Sequence, residues 1–346
     1  MANKPPVNPS DYFFTPLESA NLMAEYQVRV QREPGITFGV PSIDKVLIPQ
    51  RSGNVVGHIA RPGHGKSSIL AYLAIRTAKQ IVEQPPAEPQ CVVYITLENS
   101  VEEMEAMFMA EAPWSNRDYA EGLVPDKDFM ARYFWRTKLP IWVIGRSERQ
   151  AKKVDFSVPN LYAAISAMGT EFDIKPALIL LDYIQIVPSQ KAAERLEQVS
   201  EAIILSKELA LTVGAPINVG VQASRGVDKR DDHIPDIADC QWSSALEQVA
   251  DKLFGWWRPW LTRKRSAMKH TVELAGQSVE VTPNLLVGRL AKQRMADAGN
   301  LFYLHFDPAY VKLAEMELSL IGEQAHMKMP TPPVNGKDVE NGKIAF

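Results

Sequence analysis

The chain has 346 residues, of which 46% are apolar and 23% charged, a composition typical of soluble globular proteins. This length predicts one large domain with appendages, and Cys91 and Cys240 match neither a metal-site spacing nor a disulfide framework. The net charge of -3 argues against a protein that coats nucleic acid by bulk positive charge, but leaves open one with a local basic channel. Without a membrane-spanning run or a signal peptide, we expect a cytoplasmic protein with no membrane partner.

Residues 1–34 are predicted to form an amino-terminal arm that carries one helix. Between residues 17 and 30 the apolar side chains recur at helical spacing, and Pro34 and Gly35 end the pattern. A single helix of this length is marginally stable in water, so it needs a surface to dock on. That surface belongs either to its own domain or to a neighbouring subunit.

A glycine-rich turn lies between a short apolar run, residues 54–59, and a run with apolar residues at helical spacing, residues 68–74. This layout is typical of a phosphate-binding loop, in which backbone N–H groups and the positive end of a helix bind phosphate. In such a loop Lys66 reaches the β- and γ-phosphates, and the Ser67 hydroxyl binds Mg²⁺. The alternative is a chance Gly-Lys-Ser sequence in a surface turn. The residues predicted to bind the nucleotide are Ala60, Arg61, Pro62, Gly63, His64, Gly65, Lys66, Ser67 and Ser68.

Two later apolar runs end in a carboxylate. Residues 91–97 predict a buried parallel strand that leads to Glu98, and residues 177–181 predict another that ends at Asp182. Open α/β sheets bind their ligands at the carboxyl ends of such strands. Glu98 is therefore a candidate general base for a hydrolytic water, and Asp182 a candidate for holding Mg²⁺ together with Ser67. The simpler alternatives are a helix-capping acid at Glu98 and an ordinary strand end at Asp182.

Three further segments carry structural or functional expectations. Residues 114–138 are rich in aromatic side chains and are predicted to form a helical region that covers one face of the sheet. Residues 215–221 predict a strand that ends at Gln222, which either senses the γ-phosphate and orients water or simply caps the strand. The polar segment 224–239 predicts a mobile loop that contacts a ligand, with an ordinary solvated loop as the alternative.

The end of the chain contains a basic pair and a polar tail. Lys292 and Arg294 are two residues apart in a predicted hairpin, so their side chains lie on the same face. We expect no acidic residue to neutralise them before Asp297. Such cations suit stabilisation of phosphate charge in a neighbouring subunit's site, whereas the alternative is a solvated basic turn. Residues 321–346 are rich in proline, glycine and charge and are predicted to be disordered.

Five segments, in this order, resemble the ATPase domain of replicative DnaB-type hexameric helicases, a branch of the RecA-like fold. The resemblance covers about residues 15–315, and it accounts for Ala60 at the position where a phosphate loop usually has its first glycine. The similar segments are residues 60–67, 96–100, 181–185, 246–251 and 291–294. The resemblance implies an α/β fold with a RecA-like P-loop NTPase core, a mostly parallel sheet flanked by helices, and an amino-terminal linker helix. The implied domains are a linker arm at 1–34 that docks on a neighbouring subunit, an ATPase domain at 35–320 and the tail.

The resemblance also implies a function. It implies a homohexameric ring that uses ATP and Mg²⁺ at its subunit interfaces to move along single-stranded DNA, with a loader or other replication proteins as further partners. The implied catalytic residues are Lys66, Glu98, Gln222, Lys292 and Arg294, the last two acting from the adjacent subunit. The implied metal ligands are Ser67 and Asp182. The predicted nucleic-acid contacts are Arg225, Lys229 and Arg230 in the polar segment 224–239, together with Gln241 and Trp242 just after it.

This chain departs from the family in two places. We expect no room in it for the family's amino-terminal collar domain, so a plasmid, phage or other mobile element could be its source. Gln241 and Trp242 stand where the family usually has an Arg-Glu pair that grips the DNA backbone, so Trp242 either stacks on a base or belongs to the core. Two other functions stay open: a non-motor RecA-like ATPase that acts as a nucleotide-controlled assembly switch, and a recombinase-like filament.

Overall fold

A computed structural model describes residues 13–33, 35–149, 154–189, 194–230, 232–240, 244–262, 271–274 and 277–316 of the chain. Its helices are α1 (Pro16–Arg32), α2 (Pro41–Asp44), α3 (Lys66–Glu83), α4 (Val101–Met109), α5 (Asn116–Ala120), α6 (Asp126–Arg136), α7 (Val158–Phe172), α8 (Arg195–Val213), α9 (Ser244–Val249) and α10 (Pro259–Thr262). Its strands are β1 (Val55–Ala60), β2 (Gln90–Thr96), β3 (Ile141–Ile144), β4 (Lys175–Asp182), β5 (Ile217–Gln222), β6 (Lys252–Trp257), β7 (Thr271–Leu274), β8 (Gln277–Glu280), β9 (Leu285–Gln293), β10 (Leu301–Asp307) and β11 (Lys312–Glu315). The tail predicted to be disordered, residues 321–346, lies outside the described residues.

Nine of the described strands form one sheet, in the order β11-β10-β9-β6-β1-β5-β4-β2-β3. The six strands from β6 to β3 pair in parallel, so their carboxyl ends lie at one edge of the sheet. Strands β9, β10 and β11 continue the sheet with antiparallel pairing. The predicted mostly parallel sheet flanked by helices is confirmed. None of the helices in the described part of the chain has the length and apolar character needed to cross a membrane.

The central strands are buried on both faces. In β1, Val56 and Ala60 belong to one hydrophobic core, while Val55 and Ile59 belong to the other, because side chains alternate along a strand. Helices α3 and α4 contribute to the first core, and α7 and α8 contribute to the second. Burial on both faces explains why these strands are nearly continuous apolar runs in the sequence.

Helix α1 confirms the helix predicted over residues 17–30. A capping box closes its amino terminus, since the Thr15 hydroxyl accepts from the backbone N–H of Glu18 and the Glu18 carboxylate accepts from that of Thr15. No residue of α1 is buried, and Met23 on its apolar side is 51% exposed. The helix therefore does not dock into its own domain, which was one of the two expected arrangements.

The expectation that residues 114–138 cover a sheet face is wrong. Gly122, with a φ of 68°, and Pro125 interrupt this segment, which forms the two short helices α5 and α6. Neither helix contains a fully buried residue, and only the partly buried Trp135 of α6 packs against the core among the residues described there. The exposed apolar side chains of α6 are Phe129, Met130, Tyr133 and Phe134.

A series of hydrogen bonds joins buried side chains across the middle of the sheet. His58 Nδ1 on β1 accepts from Trp256 Nε1 at 3.1 Å, and His58 Nε2 donates to Asn218 Oδ1 at 2.8 Å. Asn218 Nδ2 in turn donates to Gln50 Oε1 at 2.6 Å. The imidazole also stacks on the Phe254 ring, with the two centroids 5.5 Å apart. Burial lowers the pKa of His58 to about 4, and the hydrogen bond to Asn218 opposes that shift.

We predict that protonation of His58 destabilises the fold as the pH falls from about 6.5 towards 4. The unfolded chain binds this proton near the ordinary pKa of 6.5, whereas the folded chain binds it only near about 4, so acid favours unfolding. One such proton contributes about 1.4 kcal/mol per pH unit to the free energy of unfolding. Urea titrations should therefore show a flatter pH dependence for His58→Gln, while His305→Gln on β10 serves as the control. A variant with the wild-type slope would contradict the assignment.

Candidate functional site

The segment from Ala60 to Lys66 turns tightly from β1 into α3. Gly63 and Gly65 have φ angles of 79° and 93°, in the left-handed region that a side chain disfavours. A Cβ atom at Gly65 would also lie 2.6 Å from the ring of Phe306. Helix α3 begins at Lys66, and the first N–H groups of a helix have no partner within it. The turn therefore has the strand–turn–helix layout of a phosphate-binding loop.

Lys66 lies between two carboxylates and an aromatic ring. Its Nζ atom is 3.3 Å from Asp182 Oδ1, 4.0 Å from Glu98 Oε2 and 3.6 Å from the centroid of the Tyr183 ring. Gly220 on β5 leaves room for it, because a Cβ atom there would be 2.9 Å from Lys66 Cδ. Burial lowers the pKa of Lys66, and the two carboxylates oppose that shift. The ammonium group is thus held beside the loop where a phosphate would bind.

Neighbouring strands bring the predicted residues to one edge of the sheet. Strands β1, β5, β4 and β2 are adjacent, and the β1–β5 register places Ala60 beside Gln222. Asp182 ends β4, and its carbonyl accepts from the backbone N–H of Leu97 at 3.0 Å. This bond holds the segment that carries Glu98 next to β4. The Glu98 side chain is 55% exposed, so it is open to a water molecule.

The oxygen atoms beside the loop fit a magnesium ion. Asp182 is fully buried, and within the described residues its Oδ1 atom has the Lys66 ion pair but no hydrogen bond. The Tyr94 hydroxyl lies 3.4 Å from Asp182 Oδ2 and 3.5 Å from the Ser67 carbonyl oxygen, so the Asp182 carboxylate and the Ser67 backbone both approach the same hydroxyl group. Carboxylate and hydroxyl oxygens are ligands that Mg²⁺ accepts, often through water. Ser67 and Asp182 would therefore hold the metal.

Gln222 is the last residue of β5 and is fixed by Gln185. The backbone N–H of Gln222 donates to Gln185 Oε1 at 3.1 Å, and Gln185 Nε2 donates to the carbonyl oxygen of Gln222 at 3.2 Å. Gln185 is buried, and these two hydrogen bonds cap the end of β5. The Gln222 side chain is not needed for capping, and its position beside the loop suits the sensing role.

Lys292 and Arg294 lie at the opposite edge of the sheet, since β9 runs antiparallel to β6. Lys292 Nζ donates to the carbonyl oxygen of Glu247, and Arg294 Nη2 donates to that of Gln248 at 2.7 Å. Both side chains thus reach the end of α9, which agrees with the expectation that they share a face. Arg294 Nη1 also lies 3.5 Å from Asp251 Oδ1. The expectation that no acidic residue neutralises the pair is wrong, because this partner comes from a different part of the sequence.

The predicted nucleic-acid contacts lie on or beyond a 3-10 turn, Arg225–Lys229, that follows β5. Both Arg225 and Lys229 are exposed. Arg230 donates from Nη2 to Asp239 Oδ2 at 2.7 Å, so its charge is paired within the same segment. The predicted contacts that lie outside the described residues are Gln241 and Trp242.

His64 has a structural role inside the phosphate-binding loop. The backbone N–H of Arg258 donates to His64 Nδ1 at 3.1 Å, which ties the loop to the segment after β6. Burial, followed by the charge of Arg258, lowers the pKa of His64 to about 4. At neutral pH this imidazole is uncharged and accepts a backbone hydrogen bond.

Sequence analysis does not single out three residues that complete the site. Tyr94 donates to Asp182, and burial, with the carboxylate charge as the second cause, raises the pKa of Tyr94 well above its ordinary value. The Tyr183 ring contacts the Lys66 ammonium, and Gln185 fixes the end of β5. Tyr183 and Gln185 lie one and three residues after Asp182, within the segment 181–185 that resembles the family, and this position is a signal that could have found them. Tyr94 lies within an apolar run and has no such signal.

Comparison with known proteins places this geometry in a family. Residues 35–315 match the family described as DnaB-like helicase C terminal domain. The chain belongs to that family. It is 25% identical over 297 residues to the replicative DNA helicase DnaB of Rickettsia bellii, covering 82% of this chain and 58% of the relative. It is also 25% identical over 257 residues to that of Helicobacter pylori, covering 72% of this chain and 49% of the relative. The chain thus spans about half the length of the curated relatives it matches.

Solved structures share the fold. One of them, described as an ATPase domain, superposes with a TM-score of 0.67 at 18% identity, over 86% of this chain and 98% of that one. A DnaB-like replicative helicase, described with its interactions with primase, has the same TM-score and identity and covers 86% and 67%. These similarities confirm the RecA-like core expected for the DnaB-like chain.

We predict that Glu98→Gln in this DnaB-like chain binds ATP but hydrolyses it about 10²–10⁴-fold more slowly, because the amide cannot accept a proton from water. Nucleotide binding and phosphate release, measured on the same preparation, separate the two effects. Glu102→Gln is a matched control, since Glu102 bonds Ser147 instead of facing Lys66. If Glu98→Gln and Asp182→Asn lost ATP binding equally, Glu98 would be a metal ligand.

Proposed function

We propose that the chain assembles into a homohexameric ring that hydrolyses ATP between its subunits and translocates along single-stranded DNA. The observation that carries this proposal is the division of the predicted catalytic groups between two edges of the sheet. Lys66 and Glu98 lie at the edge that carries the phosphate loop, whereas Lys292 and Arg294 lie at the other. A complete site therefore needs two copies of the chain.

The length of β1 gives the distance between Arg294 and the phosphate loop of the same subunit. Asp251, the partner of Arg294, also accepts from the backbone N–H of Val55 at 2.8 Å, and Val55 begins β1. The phosphate loop follows Ala60, five residues later, which is about 17 Å along a strand. Arg294 therefore lies far from the loop of its own subunit. In a ring, this edge of one subunit can face the loop of the next.

The proposed hydrolysis uses groups on both sides of such an interface. The phosphates bind the N–H groups of the loop and the Lys66 ammonium. Glu98 accepts a proton from water as the water oxygen attacks the γ-phosphorus, whose bond to the bridging oxygen breaks and releases ADP. Bound Mg²⁺ on Ser67 and Asp182 would withdraw charge from the phosphates. Arg294 of the next subunit stabilises the charge that develops.

The exposed apolar faces of α1 and α6 provide a second contact between subunits of the proposed ring. Met23 and Tyr26 are exposed on α1, and Phe129 and Tyr133 are exposed on α6. Docking of α1 from one copy onto α6 of another would bury both faces, which stabilises an interface by about 25 cal/mol per Å². This arrangement gives residues 1–34 the linker role that the family resemblance implies for them.

The DNA-binding part of the proposal rests on local charge. The chain has a net charge of -3, so a DNA strand must be held by a restricted set of cations. Arg225 and Lys229 are exposed on the turn after β5 and can line the channel of a ring. Trp242 stays a predicted stacking contact, worth about 1–3 kcal/mol if a base stacks on it.

The relatives favour this motor over the two alternatives. Both compared relatives are named replicative DNA helicases, which supports DNA unwinding and contacts with a loader or other replication proteins. A non-motor ATPase would turn over ATP at a rate independent of DNA. A recombinase-like protein would form open filaments.

We predict that single-stranded DNA stimulates the ATP turnover of the wild-type chain, because a motor couples hydrolysis to movement along the strand. Native mass spectrometry should give the mass of a hexamer. Met23→Asp should lower that mass and the turnover together, because it places a charge on the exposed face of α1. DNA-independent turnover by a monomer would contradict the ring motor.

We further predict that two inactive variants rescue each other. Lys66→Ala lacks the loop cation and Arg294→Ala lacks the proposed cation in trans, so mixed rings contain some interfaces with both groups intact. A trans cation is worth about 10³–10⁵-fold in rate in other phosphoryl-transfer enzymes, so restored hydrolysis should be easy to detect.

The control mixes Lys66→Ala with Glu98→Gln. Both lesions affect the same side of the interface, so no mixed interface is complete and no rescue is expected. Thermal melts and native mass establish that the variants fold and mix. If Lys66→Ala and Arg294→Ala subunits form mixed rings that do not hydrolyse ATP, Arg294 does not act in trans.

A further inference from the structure

The guanidinium of Arg61 joins the phosphate loop to the turn that follows β5. Its Nε atom donates to Asp228 Oδ1 at 3.1 Å, and its Nη2 atom lies 3.0 Å from Asp228 Oδ2. Its Nη1 atom donates to the carbonyl oxygen of Ala223 at 3.1 Å. Arg61 is also part of the loop fold, since its carbonyl oxygen accepts from the backbone N–H of His64 at 3.1 Å. This forked contact fixes the direction of the carboxylate as well as its distance.

The turn held by Arg61 follows a residue proposed to contact the nucleotide and carries residues proposed to contact DNA. It starts just after Gln222, the candidate γ-phosphate sensor, and contains the exposed cations Arg225 and Lys229. Asp228 is the residue next to Lys229. This ion pair thus connects the nucleotide loop to the segment proposed to contact DNA.

Fold stability is a poor explanation for this ion pair. The Asp228 side chain is 46% exposed, and pairs with so much solvent access add little to stability. The Arg61 side chain is only 17% exposed, and its backbone belongs to the loop where a triphosphate would bind. Phosphate oxygens would compete with Asp228 for the same guanidinium, because both are anions that accept from its N–H groups. Nucleotide binding would then alter the force that holds the turn.

We propose that Arg61 and Asp228 form a positioning pair that couples the occupancy of the phosphate loop to the position of the turn Arg225–Lys229. With an empty loop the pair is closed and the turn is held, and with ATP bound the pair loosens and the turn moves. Coupling of this kind is reciprocal, so DNA bound at the turn also changes the affinity for ATP. The DNA half of this inference rests on the proposed function, whereas the movement of the turn does not.

The test compares three variants of the full chain with wild type. The affinity for labelled oligothymidylate is measured by fluorescence anisotropy with and without ATPγS, and the ratio of the two affinities is the coupling factor. We expect a wild-type factor of at least about five that falls to about one in Asp228→Asn. Basal ATP turnover without DNA should stay at the wild-type level, since Asp228 contacts neither phosphate nor metal. Asp228→Glu retains the carboxylate and should keep the coupling.

Asp232→Asn is the matched control for loss of one charge. Asp232 lies on the same segment with a similarly exposed side chain (41%), but it pairs with Arg289 and not with the loop. It should keep the wild-type coupling factor. Equal loss in Asp232→Asn and Asp228→Asn would assign the effect to the total charge of the segment and overturn the pair.

Hydrogen exchange separates failure of the pair from failure of the motor. ATPγS should change the exchange of the backbone amides at 224–230 in wild type but not in Asp228→Asn, and this measurement contains no DNA. A wild type without DNA coupling contradicts the motor, and exchange alone then decides the pair. An unchanged exchange pattern in wild type, or wild-type behaviour of Asp228→Asn in both measurements, overturns the inference.

Discussion

The ion pair between Lys66 and Asp182 is the interaction on which the site depends. A fully buried carboxylate is costly unless it is paired, and removal of one partner of such a pair costs about 3–5 kcal/mol. The surroundings of Asp182 follow from this cost. Gly220 leaves space for the Lys66 stem, and Tyr94 contributes its hydroxyl to the second carboxylate oxygen. A triphosphate with Mg²⁺ would supply new partners to both members, so ligand binding replaces one satisfied arrangement by another.

The direction of the strands decides what the rest of the chain can contribute. Parallel pairing from β6 to β3 puts the phosphate loop, Asp182 and Gln222 at the same edge without any special loop geometry. The antiparallel strand β9 returns the chain to the other edge, carries Lys292 near its end and is followed directly by Arg294. The same sheet therefore supports both halves of the proposed shared site. One subunit contributes the anion-binding half, and the end of β9 in the next subunit contributes the cationic half.

Local patterns of the sequence predict the edge that binds phosphate but not the contacts made across long distances in the chain. The loop from Ala60 to Ser68 and the strand that ends at Asp182 are continuous segments, so their apolar runs, glycines and polar ends are enough to place them. Asp251 is more than forty residues before Arg294, and only the pairing of β6 with β9 brings them together.

The aromatic residues of α6 show a second limit of sequence patterns. An aromatic-rich segment looks like part of a core, yet Tyr133 stays exposed because α6 packs on the domain mainly through Trp135. Composition gives the apolar character of such a segment, but not which surface covers it. If α1 of another copy covers it, as proposed, the covering surface is absent from the single chain altogether.

The contacts of Arg294 within its own chain are suited to being exchanged for contacts with a neighbour. Its side chain is 49% exposed, so the ion pair with Asp251 is weak and water can replace it when the guanidinium leaves. Asp251 does not become an unpaired buried charge in that case. Lys207 Nζ remains 2.8 Å from Asp251 Oδ2, and the Val55 backbone N–H donates to the same oxygen at 2.8 Å. Release of Arg294 thus costs little, whereas a cation placed in trans accelerates phosphoryl transfer by about 10³–10⁵-fold in other enzymes. This imbalance favours an Arg294 side chain that is held at the end of α9 in the single chain and moves to a phosphate when a neighbouring subunit provides one.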